Sequence, residues 1–153
     1  MIIKREIKNK AEIVKKLNLL LSDYEIYYQN LRALHWNIKG KMFFMLHEKY
    51  EEYYTESAEV IDEIAERILM LDSTPLHTYE DFLKNSSIKP VKDVKDSNKS
   101  IDIVLDNNEA LLNKAYEALE VADESGDEET LALLGDIIAE AEKRIWMLQS
   151  SKE

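Results

Sequence analysis

With 153 residues, 45% of them apolar and 33% charged, the chain is long enough to bury a sizeable core as one domain and too hydrophobic to read as disordered. A formal net charge of −11 argues against simple electrostatic attraction to DNA or to anionic membranes, and favours attraction of small cations. The lack of cysteine removes disulfides and thiolate metal sites, and no apolar run is long enough to cross a bilayer, so a cytoplasmic protein is expected.

Three glycines and two prolines leave few turns, which favours a small number of long helices. The expected unit is a single domain over 1–153, with 1–8 a short N-terminal arm. Asn9, followed three residues later by Glu12, resembles a capping box. Beyond it Ile13, Leu17, Leu20, Tyr24, Tyr27, Leu31, Leu34 and Ile38 recur every three or four residues, predicting a first amphipathic helix that ends near Asn37 to Gly40. A second helix follows from about Lys41, with a core stripe of Phe43, Leu46, Tyr50, Tyr53, Ser57, Ile61, Ile64, Ile68 and Leu71. Between Asp72 and about Asp96 the periodicity breaks around Pro75, Pro90 and one short amphipathic piece, YEDFLKNSS. A third long helix is expected over Ser97–Glu124, and a fourth from the acidic GDEET segment, where carboxylates suit the helix dipole, to about Ser150.

Loop lengths constrain how these helices are joined. Short first and third connections make antiparallel pairs, and the long middle connection can cross the bundle from end to end. The expected fold is all-α: a ferritin-like four-helix bundle with a long crossover between helices two and three that carries a short extra helix.

Helix two carries a second stripe: His47, Glu51, Tyr54, Ala58, Asp62, Ala65 and Glu66. At about 100° per residue, His47, Glu51, Asp62 and Glu66 share one face of roughly 100°. The tyrosine and alanines among them suggest a covered face, and Glu48, Glu52, Glu59 and Glu63 lie opposite it on the expected water-facing side. Glu51 and Asp62 are nevertheless roughly 16 Å apart along the axis, too far for one metal centre on one helix. A two-fold pairing of helix two with its own copy removes the difficulty. When residue 47 meets 66, residue i faces 113 − i, and 51 meets 62 in the same register, crossing near the small Ala58. Symmetry then gives two equivalent sites per dimer.

His35 joins from the end of helix one, folded back by the Gly40 turn. Two imidazoles and three carboxylates suit iron, manganese or zinc. Taken singly, such a histidine is usually a hydrogen-bonded core residue and such an acidic stripe a solvated face. The matched register and the His–turn–His arrangement reverse that preference for the set. A site inside the bundle would need Glu-x-x-His motifs from facing helices, and no histidine follows His77, a residue best placed on the surface or in the crossover loop.

The segment HWNIKGKMFFMLHEKYEE through IDEIAERIL, with its H-x11-H-x3-E-x10-D-x3-E spacing, resembles the Dps family of miniferritins, the DNA-protection-during-starvation proteins. PLHTYEDFL looks like the family's short crossover helix, and GDEET with EKRIWML like its last helix. The resemblance implies a hollow dodecamer built from dimers. It also implies oxidation of Fe(II), preferably by hydrogen peroxide rather than dioxygen, at inter-subunit ferroxidase centres holding one or two irons, with zinc or manganese as competitors. The ferric oxyhydroxide stays inside the cage, giving iron storage and protection against oxidative stress. By motif, His35, His47 and Glu51 of one subunit combine with Asp62 and Glu66 of its dimer mate. The family usually has Asp where this chain has Glu51; the extra methylene keeps the charge but moves the carboxylate, which bears on the occupancy of one metal position. Trp36 matches a tryptophan beside the centre, as local electron donor or as packing. Asp123 and Glu128 match acidic positions of an iron-entry pore, with Ala132 replacing an acid found in some members; helix-end solvation explains the same acids.

Two other readings compete. A non-specific DNA-binding nucleoid protein with weak or no ferroxidase activity would need a basic surface. The only candidates are Lys4, Arg5, Lys8 and Lys10, interrupted by Glu6, so DNA binding is expected to be weak or absent at physiological salt. A metal-free helical interaction module would leave the paired acids facing each other unneutralised.

Overall fold

The computed structural model describes residues 6–152. Over that range the chain forms α1 (Lys10–Asn37), α2 (Phe43–Met70), the short α3 (Tyr79–Asn85), α4 (Ser97–Glu124) and α5 (Glu128–Ser150). Among the described residues no helix is long and apolar enough to cross a membrane. Of the proposed N-terminal arm, Lys4 and Arg5 lie outside the described residues.

The apolar stripe of α1 is the spine of the core. All eight of its predicted positions, Ile13 through Ile38, are buried, each such side chain contributing about 1.5–3 kcal/mol over an exposed one. Packed against α1 are α2, α3 and α4, and α5 packs on α4. The stripe of α2 is buried at Leu46, Tyr50, Tyr53, Ser57, Ile64 and Ile68, while Phe43 and Ile61 stay half-exposed at its edge. Gly40, at a φ of 111°, makes the sharp α1–α2 turn, and Gly126, at 71°, the α4–α5 turn. Both are conformations that an L side chain resists.

The start of α1 corrects one expectation. Asn9 adopts a left-handed backbone with φ 53°, and its side chain makes no capping hydrogen bond. Its carbonyl instead accepts from the N–H groups of Glu12 and Ile13. Asparagine tolerates that backbone region, so the residue type fits the position for a different reason than a capping box. The side-chain caps sit elsewhere: Thr78 accepts from the Asp81 N–H at the start of α3, and Asp127 from the Thr130 N–H at the start of α5.

Two buried polar side chains of α1 hold the crossover to the bundle. Asp23, with no exposed surface, accepts from the Ser86 hydroxyl at 2.9 Å, the Ser87 N–H at 2.6 Å and the Ser87 hydroxyl at 2.7 Å. Asn30 donates to the Lys89 carbonyl and to Asn107 Oδ1, and accepts from the Val91 N–H, each at 3.0 Å. Phe82, Ile88 and Val94 add apolar anchors along the same segment.

Burial also makes the core tyrosines alkali-sensitive. Ser100 donates its proton to the Ser97 carbonyl, so Tyr50 donates to Ser100 Oγ, at 2.7 Å. Burial pushes the Tyr50 phenol up to about 12. A group bound more tightly to its proton when folded keeps its stabilising effect below the unfolded value, near 10, and loses it as pH rises through the folded value. Urea unfolding is therefore expected to weaken by about 2–3 kcal/mol between pH 10 and 12 on account of this one residue. Tyr50→Phe should flatten that part of the curve; an unchanged profile would refute the assignment.

Candidate metal centre

The Gly40 turn folds the end of α1 against the start of α2, and two histidines meet there. His35 Nδ1 donates to the His47 carbonyl at 2.6 Å, and His47 Nδ1 donates to the His35 carbonyl at 2.7 Å. The two rings stack at a centroid distance of 3.7 Å and an interplanar angle of 11°. A carbonyl only accepts, so each Nδ1 carries the proton and each Nε2 of a neutral ring presents its lone pair. Tautomer and ring orientation are thus fixed by backbone groups, the usual arrangement behind a metal-ligating histidine. Phe43 stacks on the outer face of the His47 ring at 4.8 Å, and Tyr54 meets the His35 ring edge-on at 5.5 Å. His35 is buried and His47 half-buried.

Glu51 lies one turn beyond His47 and is exposed, its Oε1 accepting a 3.3 Å hydrogen bond from the Tyr54 hydroxyl. Asp62 and Glu66 lie farther along the same helix, also exposed, and Ala58, between Glu51 and Asp62, is exposed as well. The stripe expected to be covered is therefore open in a single chain. Glu48, Glu52, Glu59 and Glu63 are exposed too, but they flank this stripe rather than oppose it: Glu48 and Glu66, eighteen residues apart, share one position on the helical wheel. Among the described residues, no three histidine, aspartate or glutamate side chains of one chain gather closely enough to hold a metal ion. One chain brings together His35 and His47 with Glu51 beside them, and leaves Asp62 about three turns and Glu66 about four turns beyond Glu51.

The bundle interior offers an unfavourable alternative. Arg144 is 6% exposed, donates through Nε to Asn108 Oδ1 at 2.8 Å and through Nη2 to the Tyr24 hydroxyl at 3.4 Å, and lies 6.0 Å from the Tyr27 ring centroid. A fixed guanidinium held there repels a metal cation, and nothing in the sequence pattern pointed to it.

The far end of α2 is clamped. Arg67 donates through Nη2 to Asp127 Oδ1 at 2.7 Å and through Nε to Thr130 Oγ1 at 2.8 Å, and Thr130 donates its own hydroxyl to Asp127 Oδ2. Asp127, fully buried, so caps α5 and pins α2 to it, fixing the rotation of the turns that carry Asp62 and Glu66. Asp123 and Glu128, exposed on either side of that cap, flank the α4–α5 turn, with Ala132 exposed one turn on. Trp36 is 56% exposed, and the Arg32 guanidinium carbon lies 4.9 Å from its ring centroid and 5.3 Å from that of Tyr28. His77 is exposed in the crossover, its Nδ1 donating to the Pro75 carbonyl.

Residues 14–151 match the ferritin-like domain family. A DNA protection during starvation protein of Bacillus anthracis is 38% identical over 139 residues, 91% of this chain and 95% of that relative. Its counterpart in Porphyromonas gingivalis is 40% identical over 140 residues, 92% of this chain and 88% of the other. The crystal structure of a Dps protein from Vibrio cholerae O1, a member of a broad superfamily of ferritin-like diiron-carboxylate proteins, superposes with a TM-score of 0.90 at 44% identity, covering 92% of this chain and 89% of that one.

Proposed function

This chain belongs to the Dps family of ferritin-like proteins, and from that premise we propose that it oxidises Fe(II) with hydrogen peroxide at sites shared between two subunits and stores the ferric product inside a dodecameric shell. The observation that carries this reading is the reciprocal histidine lock. Two imidazoles held by each other's backbone, with Glu51 beside them, form half of a ligand set. Their other half, Asp62 and Glu66, stands exposed on the same helix in the register that a two-fold axis near Ala58 would bring opposite.

In this reading His35 and His47 bind through Nε2, and Glu51, Asp62 and Glu66 of the two chains supply charge. Iron here is the substrate. Peroxide takes two electrons and each Fe(II) gives one, so two irons oxidised together consume one peroxide without a free radical. Glu51 reaches one methylene further than an aspartate would, which suits a site whose two metal positions differ in affinity. The imidazole–carboxylate set also admits zinc or manganese, which would compete. Asp123 and Glu128 serve as an acidic entry for Fe(II), helped by the overall charge of −11. The same charge keeps DNA binding weak at physiological salt.

Stopped-flow mixing of anaerobically Fe(II)-loaded protein with peroxide tests the activity, and light scattering tests the shell. Expected are oxidation faster than the protein-free control, about two irons consumed per peroxide, a soluble ferric product and a particle of twelve subunits. A small oligomer that oxidises iron no faster than buffer would overturn the proposal.

A further inference from the structure

We propose that Phe44 of each subunit seats against Leu69 of the partner subunit, an apolar clasp that closes the outer end of each shared iron site. The inference rests on the two-fold pairing of α2 described above. Phe44 is 82% exposed and Leu69 56%, two large apolar side chains that a single chain leaves open at opposite ends of one helix. Eighteen residues make five turns, so Phe44 shares the wheel position of Asp62, and Leu69 that of Glu51. Both therefore stand on the face that carries the iron ligands. The relation that sets 47 against 66 and 51 against 62 also sets 44 against 69. That register follows from the ligands alone, so the meeting of two exposed apolar residues within it is independent support.

Each half of the clasp is fixed by its own chain. His35, His47, Phe43 and Phe44 form one run of rings, with successive centroid separations of 3.7, 4.8 and 5.4 Å, and Phe44 is its exposed end. Leu69 lies two residues beyond Arg67, which is bonded to Asp127 and Thr130. Between the two clasps the pairing brings Glu51, Asp62 and Glu66 together as like charges. Before iron arrives, such an interface needs an attraction that owes nothing to the metal. Burial of Phe44 and Leu69 supplies it, twice per dimer by symmetry. The contact lies about one turn outward from His47 and from Glu66 of the partner subunit. There it shuts water out of the site and braces Phe43 against the His47 ring.

The chain has no cysteine, so crosslinks between introduced thiols report position directly. In the assembled protein carrying both Phe44→Cys and Leu69→Cys, a short bismaleimide should join subunits into dimers. Within one helix those thiols are roughly 37 Å apart, beyond its reach. Either substitution alone should give no dimer, and the two single variants co-assembled should give it again. Ala58→Cys, beside the two-fold axis, should crosslink to its own copy and so checks the pairing itself. Closure is read with Co(II) in place of iron. EDTA should strip cobalt from Phe44→Ala assemblies at least about tenfold faster than from wild type, with Phe44→Leu close to wild type. If Phe44→Ala instead falls apart into single subunits, restored assembly in Phe44→Leu carries the same conclusion. Met45→Ala, at a residue 50% exposed but turned about 100° from Phe44, should behave as wild type. The clasp is overturned if Ala58→Cys crosslinks and the double variant does not, if Phe44→Cys or Leu69→Cys crosslinks by itself, or if cobalt leaves Phe44→Ala at the wild-type rate. An Ala58→Cys protein that forms no crosslink overturns the two-fold pairing instead, so the two failures are told apart.

Discussion

Co-assembling two variants that are each inactive, His47→Ala and Asp62→Asn, should restore iron oxidation. Alone, each removes one ligand from every site, and losses of about 10–100-fold in initial rate are expected from disabling a position of this kind. In a mixed dimer the outcome depends on which chain supplies which half. One site combines the altered histidine of the first chain with the altered aspartate of the second. The other combines the intact histidines of the second with the intact carboxylates of the first, and is wild type. Random pairing makes half of the dimers mixed, so about a quarter of all sites recover, and with them about a quarter of the wild-type rate. Refolding the two chains together, or co-expressing them, gives the mixture; combining the preformed assemblies gives the control. If each site were built within one chain, the mixture would be as inactive as its parts, and the two-fold register would describe an interface without chemistry.

The proposed register can be drawn from the sequence alone for a simple reason. His47, Glu51, Asp62 and Glu66 all lie on one helix, and helical geometry converts their spacing into positions without knowledge of anything else. The core stripe of α1 was legible in the same way, every predicted position being buried. What escaped was non-local or made of backbone. The histidine lock uses the carbonyls of residues 35 and 47, and no pattern of side chains announces which carbonyl an imidazole will find. The clamp of Arg67 on Asp127 joins residues sixty apart, and Asp127 read from the sequence was one acid among several at a helix start. Arg144 looked like one more charge on an amphipathic helix, yet it is buried over Tyr27, bonded to Asn108. The capping box at Asn9 failed for the opposite reason. A local motif was present, but the chain enters α1 through a left-handed residue, which leaves the side chain uninvolved.

Asp23→Ala should be among the most destabilising single substitutions outside the apolar core, while sparing the chemistry. The carboxylate is fully buried and accepts from two hydroxyls and one N–H of Ser86 and Ser87. Alanine leaves those donors without their acceptor at the end of α3, and breaking a buried charged network of this kind costs about 3–5 kcal/mol. For a domain of this size that corresponds to a melting temperature lower by roughly 10 °C, compared at equal subunit concentration. Hydrogen exchange should show the loss first in the crossover around residues 79–91, because Asn30 and its three bonds hold only the later part of that segment. A melting temperature within a degree or two of wild type would mean that the latch is water-bridged and weak. Asp23 and Asn30 are seven residues apart and share a face of α1 turned to the crossover. His35, five residues beyond Asn30, is rotated by about 140° toward α2. Loosening the crossover therefore leaves the histidine lock in place, and the surviving Asp23→Ala assemblies should still oxidise iron. A stability defect with intact chemistry separates what holds this fold together from what the site requires.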